Sequence, residues 1–73
     1  MTRWDYRVVE QGDAHDGPQW QVMEPFGGGY KVERQDSFFA PLLASLGAEG
    51  WELAIVDTNA AGQPVRYYFK RPR

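Results

Sequence analysis

Cysteine is absent from the 73 residues, which excludes disulfides, thiolate nucleophiles and cysteine-ligated zinc or iron–sulfur centres. Histidine occurs once, at His15, and neither Ser37 nor Ser45 has it at a recognisable helical or strand spacing, so no nucleophile–base pair is legible. No apolar run approaches the roughly 20 residues that cross a bilayer. The first nine residues carry Arg3, Asp5 and Arg7 where a secretory signal would be apolar, and the expectation is a soluble cytoplasmic protein.

What the chain has is aromatic mass. Eleven Phe, Trp and Tyr residues make up 15% of it, and each can bury roughly 150 to 250 Å². A chain of 73 residues allows one domain, near the lower limit at which a single core offsets chain entropy, so self-association or a partner is expected. The formal net charge of −2 is unevenly spread: Arg66, Lys70, Arg71 and Arg73 place +4 on the last eight residues and leave −6 on the rest. A basic terminal strand meets phosphates or an acidic partner, or simply guards a sheet edge.

Three segments alternate as half-buried strands do. In Trp4–Glu10 the alternation places Trp4, Tyr6 and Val8 inward and Asp5, Arg7 and Val9 outward. From Trp51 to Val56, Trp51, Leu53 and Ile55 face inward; from Val65 to Lys70, Val65, Tyr67 and Phe69 do. The last strand, if central, lets all its neighbours run antiparallel. Its connection to the preceding strand, Asp57 to Pro64, is longer than a tight hairpin and is expected to be mobile at its tip.

Phe38, Phe39, Leu42, Leu43 and Leu46 recur at helical spacing after a cap at Asp36 or Ser37, with Pro41 in the first turn and Gly50 as a left-handed terminator. Gly47 is unusual inside a helix and is expected to permit close approach to the sheet. Gln11 to Pro18, rich in Gly, Pro and Asp, reads as a loop. Trp20-Gln21-Val22 and Tyr30-Lys31-Val32 read as paired extended segments around a turn at Pro25 to Gly29. The expectation for residues 1–73 is a single small α+β domain: an antiparallel sheet of three main strands, a possible extra hairpin, and one helix packed on it. Residues 11–35 form a loop or hairpin insertion.

The Trp4-Asp5-Tyr6-Arg7-Val8-Val9 strand, the block Leu46-Gly47-Ala48-Glu49-Gly50-Trp51-Glu52-Leu53 and the closing Tyr67-Tyr68-Phe69-Lys70-Arg71-Pro72 resemble the domain of unknown function 4177 family. The match covers Trp4 to Val9 and Ser37 to Pro72. The resemblance implies a small bacterial or phage protein with strand, helix, strand, strand order, and it carries no catalytic residues.

Candidate sites are few. Asp13, His15 and Asp16 offer two carboxylates and an imidazole, but no second histidine completes a metal cage. Gly27-Gly28-Gly29 precedes extended chain rather than the helix a phosphate loop needs, and is assigned to a turn. Glu49 and Glu52 flank Trp51 without a geometry for paired-carboxylate chemistry and are assigned to the solvated surface. No catalytic residue, metal or cofactor is therefore expected. The outward sheet face, with Val9, Ala54, Val56, Arg66, Tyr68 and Lys70, is the candidate interface of a homodimer or an adaptor to another protein. The competing class is single-stranded nucleic-acid binding, with Tyr67 or Tyr68 stacking on bases and Arg66, Lys70, Arg71 and Arg73 on phosphates; the acidic balance opposes it.

Overall fold

The first strand extends beyond its alternating segment. The computed structural model describes residues 3–14 and 17–73, and in it β1 spans Trp4–Ala14. Among the described residues there follow β2 (Gly17–Phe26), β3 (Gly29–Asp36), the helix α1 (Phe39–Ala48), β4 (Glu52–Thr58) and β5 (Pro64–Pro72). The five strands form one antiparallel sheet in the order β3-β2-β1-β5-β4, with α1 on one face. The fold is α+β, with a larger sheet than three strands and a hairpin. β5 does lie between β1 and β4, so every neighbour runs antiparallel.

Gln11–Ala14 and Gly17–Pro18 are strand rather than loop: Gln11 pairs with Trp20, and the ladder continues through Ala14 and Gly17. Turn-forming residues weaken strand propensity, but a register already set at Val8–Met23 and Val9–Val22 carries backbone pairing outward. The described residues of the 11–35 segment are thus built into the sheet, and Val22 is a core residue. Phe26 pairs with Gly29 across Gly27-Gly28, a two-residue turn in which Gly27 adopts φ +60°, as hairpin geometry requires.

Helix α1 begins after Phe38. Its first turn holds Pro41, and the Asp36 carboxylate accepts the Phe38 N–H at 3.0 Å. Only Phe39, Leu42 and Leu46 of the expected stripe pack on the core, whereas Phe38 and Leu43 are exposed. The C-terminus closes as a Schellman motif, with the Gly50 N–H on the Gly47 carbonyl, the Trp51 N–H on the Leu46 carbonyl, and Gly50 at φ +89°. Leu46 and Trp51, brought together by that closure, are both buried.

Gly47 does not serve close packing, because a Cβ built there meets nothing within 4 Å. Gly47→Ala is therefore expected to stabilise the fold by about 0.5–1 kcal/mol, measured as a higher urea midpoint at unchanged slope; a lower midpoint would mean the glycine is needed.

The helix-side core consists of Val9, Val22, Leu42, Leu46, Trp51 and Phe69, with Trp20, Phe39 and Tyr67 packed against it. The last three stack, Trp20 to Phe39 at 4.4 Å and Phe39 to Tyr67 at 5.0 Å between centroids. In an antiparallel pair, residues directly opposite share a face. Val9 lies opposite Tyr67 and Arg7 opposite Phe69, so the helix side of β1 carries Arg7 and Val9, the reverse of the expected orientation. Trp4, Tyr6 and Val8 face away from the helix. In β4 the register shifts between Leu53 and Ile55, leaving Ala54 as the extra residue. Leu53 and Val56 consequently share the helix side with Phe69 and Tyr67, while Ile55 is turned to the other face, opposite Tyr68. The β4–β5 connection is a hydrogen-bonded turn: the Asn59 side-chain oxygen accepts the Ala61 and Gln63 N–H groups at 2.9 and 3.0 Å.

Candidate protein-interaction site

Following the pairing across the sheet, Val32 of β3 lies beside Met23 of β2, Met23 beside Val8 of β1, Val8 beside Tyr68 of β5, and Tyr68 beside Ile55 of β4. These five residues form one apolar row across all five strands, on the face opposite α1. Alternation within each strand creates the row's members, and the two bulges, at Glu33 and Ala54, bring Val32 and Ile55 into line with the others.

One flanking row is polar, with Gln35, Gln21, Glu10, Arg66 and Asp57. The other contains Tyr6, Lys70 and Glu52. Glu10 accepts from Arg66 Nε at 3.1 Å, which raises the Arg66 guanidinium pKa above its ordinary value. Lys70 Nζ sits 4.5 Å above the Trp4 ring. Val8 is the floor of a depression of about 290 Å³ walled by Glu10, Met23, Tyr30, Arg66 and Tyr68. Tyr6, Tyr30, Val32 and Ile55 stand exposed around it, Ile55 at 63% and Tyr6 at 52%. An apolar centre containing aromatics, bordered by charged residues, is the composition of a protein interface.

The structure redistributes the sequence candidates. Arg66, Tyr68 and Lys70 are on this face. Val9 is fully buried in the core and is withdrawn as a contact residue. Val56 is on the helix side and Ala54 is the bulge residue. Tyr67 packs under the helix, out of reach of bases on the open face. The row members Val8, Met23, Val32 and Ile55 escaped sequence reasoning. Alternation alone names two faces without saying which is covered, and the pairing register is a long-range property. His15 and Asp16 of the trio weighed for a metal lie outside the described residues. Among the described residues, no group of three or more His, Asp or Glu is placed to hold a metal ion, and no helix is long and apolar enough to cross a membrane.

The basic residues near the C-terminus also make contacts within the chain. Arg73 Nε donates to Asp5 and holds that carboxyl below its usual pKa. Arg71 Nη1 donates to the Glu49 carbonyl at 2.8 Å, and its guanidinium lies 4.2 Å from the Trp51 ring centre. Arg7 approaches the same indole at 4.7 Å and donates to Glu33. Glu49 is not merely solvated: its carboxylate receives both terminal nitrogens of Arg34, at 2.6 and 2.7 Å, and the Ser45 hydroxyl at 3.2 Å. Arg34 is raised in pKa by that contact.

The Arg34 fork holds the Glu49 carboxyl at about 2, against an ordinary value of 4.5. A depressed folded-state pKa means the stabilisation is complete above about pH 4.5 and disappears as pH falls through 2. With 37% of the Glu49 side chain exposed, screening leaves about 1 kcal/mol. Glu49→Gln is expected to flatten the dependence of stability on pH between 4.5 and 2, followed by urea unfolding at each pH; an unchanged slope would assign the acid loss to other carboxylates.

Comparison of the chain with protein-family models, with curated proteins and with solved structures finds no match.

Proposed function

We propose that this chain is a non-enzymatic, cytoplasmic interaction module that docks a protein, in a homodimer or as an adaptor, through the sheet face opposite α1. The observation that carries this reading is the unbroken Val32–Met23–Val8–Tyr68–Ile55 row with its polar borders. The surface area supports it. The chain exposes 5223 Å², whereas a folded monomer of 8.4 kDa is expected to expose about 4,600 Å². The excess, about 600 Å², approaches the roughly 800 Å² that each partner contributes to a standard interface. The resemblance to the domain of unknown function 4177 family agrees with a role without catalytic residues, and we propose membership in it on the matching segments alone.

The test is the double variant Ile55→Lys with Tyr68→Lys, two ammonium groups within the apolar row. Association, read as mass by light scattering or as capture of a partner, is expected to be lost at unchanged circular dichroism. Val56→Lys, on the other side of the sheet, is expected to leave it intact. Equal effects of the two substitutions would remove the open face from the reading.

Aromatics on that face, Trp4, Tyr6, Tyr30 and Tyr68, give the nucleic-acid reading its one specific support. Charge opposes it, since Glu10, Glu52 and Asp57 share the face with Arg66 and Lys70, and a phosphate backbone requires a net cationic track. Unchanged anisotropy of labelled single-stranded DNA and RNA at low salt and micromolar protein is the expected result.

A further inference from the structure

The occupant of the open face is encoded in its own register. Building on the reading of that face as a docking surface, we infer that it receives a second copy of this chain, related by a two-fold axis that runs along the strands between β1 and β5. Such an axis lays β1 over the partner's β5 and β2 over the partner's β4, and keeps each cross-strand row over itself. Paired sheets keep their strand directions within about 30° of each other, so the rows stay in reach of one another.

Complementarity then follows residue by residue. Within one chain, Val8 lies beside Tyr68, Met23 and Ile55 flank that pair in the same row, Glu10 lies beside Arg66, and Tyr6 lies beside Lys70. The two-fold axis converts each of these neighbours into a contact between copies. Each Tyr68 ring, half-buried at the rim of its own depression, is set over the other copy's depression, floored by Val8 and walled by Met23 and Tyr30. Each Ile55 meets the other copy's Met23. Each Glu10 faces an Arg66, and each Lys70 faces a Tyr6 ring, so no like charges are opposed along the two central strands. Moving the axis onto β1 would instead set Glu10 against Glu10. An isologous patch must be complementary to itself, and this placement satisfies that condition.

Strand β4 offers the competing arrangement, because all seven of its residues are exposed and an open edge can pair with its own copy. The two geometries place Ile55 differently. In the face-to-face dimer the two Ile55 residues lie three strand spacings apart, about 14 Å, whereas in antiparallel edge pairing centred on Ile55 they are adjacent.

The absence of cysteine makes the test clean. Met23→Cys and Ile55→Cys chains, each verified as folded by circular dichroism, are mixed and treated with a short bismaleimide after the mass of the unmodified protein has been measured by light scattering at about 100 μM. The expected result is a mass twice that of the chain and covalent dimers only when both variants are present. Tyr68→Lys should weaken dimerisation about 30-fold or more, as loss of an interface anchor does. Ile55→Cys dimers formed without the second variant would establish β4 edge pairing and overturn this inference. A monomer at this concentration would overturn the second copy as occupant and leave the docking reading to the Ile55→Lys, Tyr68→Lys test against another protein.

Discussion

Replacing Trp51 by alanine is expected to destabilise the domain by about 3–5 kcal/mol, the largest effect of any neutral substitution considered for this chain. The indole is buried at the helix C-terminus, where the left-handed turn at Gly50 delivers it against Leu46 and Phe69. Two guanidinium groups also approach its ring, Arg7 at 4.7 Å and Arg71 at 4.2 Å from the centroid. Its removal leaves a cavity, strips both cations of their ring, and removes the apolar side chain that accompanies the Schellman closure, whose backbone hydrogen bond from residue 51 to Leu46 remains. A domain of this size holds only about 4–11 kcal/mol of stability, so Trp51→Ala should show either no cooperative urea transition at 25 °C or one at a much reduced midpoint. Trp51→Phe, which keeps a ring in the cavity, should recover a substantial part of the loss. A cost below about 1 kcal/mol for the alanine variant would fall outside the range for emptying a packed aromatic site and would mean that the helix end does not depend on this residue.

The second large effect separates two neighbours on one strand. Val9→Asp places a carboxylate at a fully buried position between Val22 and Tyr67 on the central strand. No cation is paired with it there, and an uncompensated buried charge costs several kcal/mol. The variant is expected to be unfolded at neutral pH. Tyr6→Asp sets the same group on the open face opposite Lys70, and the fold should survive with its transition shifted by about 1 kcal/mol or less. Thermal melts followed by circular dichroism decide the matter. Tolerance at Val9 with collapse at Tyr6 would reverse the assignment of faces and remove the basis of the docking surface.

That contrast also shows where sequence reading reaches its end. Alternation in Trp4–Glu10 correctly marks a strand with two different faces. Choosing the heavier side, Trp4, Tyr6 and Val8, as the inner one fails, because the inner side of this strand brings only Val9 to the core, and only the pairing of Val9 with Val22 and Tyr67 shows that the helix covers it. Pairings 13 and 58 residues apart leave no local trace. The helix end, by contrast, is legible from Gly50-Trp51 alone, since a left-handed glycine followed by a large apolar residue is a local device. Ile55 and Val56 exchanged sides because one extra residue, Ala54, shifts the register; bulges carry little sequence signal when the inserted residue is alanine. Arg66, Tyr68 and Lys70 of the candidate surface were found because β5 is regular across them. The rest of the row requires five strands to be placed at once.

The pairing of Trp4 with Pro72 governs how the chain must acquire its structure. β1, β2 and β3 form a meander of adjacent segments, and α1, β4 and β5 form another neighbourhood, each able to organise through nearby contacts. Joining them at β1 and β5 closes almost the whole length of the chain, and such closure carries an entropic cost that rises with the logarithm of loop length. The seam between the first and last strands is therefore expected to form late in folding. Because that seam is also the line along which the helix-side core residues Val9 and Phe69 come together, burial of the core is tied to the longest closure in the chain, and slow folding for so small a domain is the expected consequence.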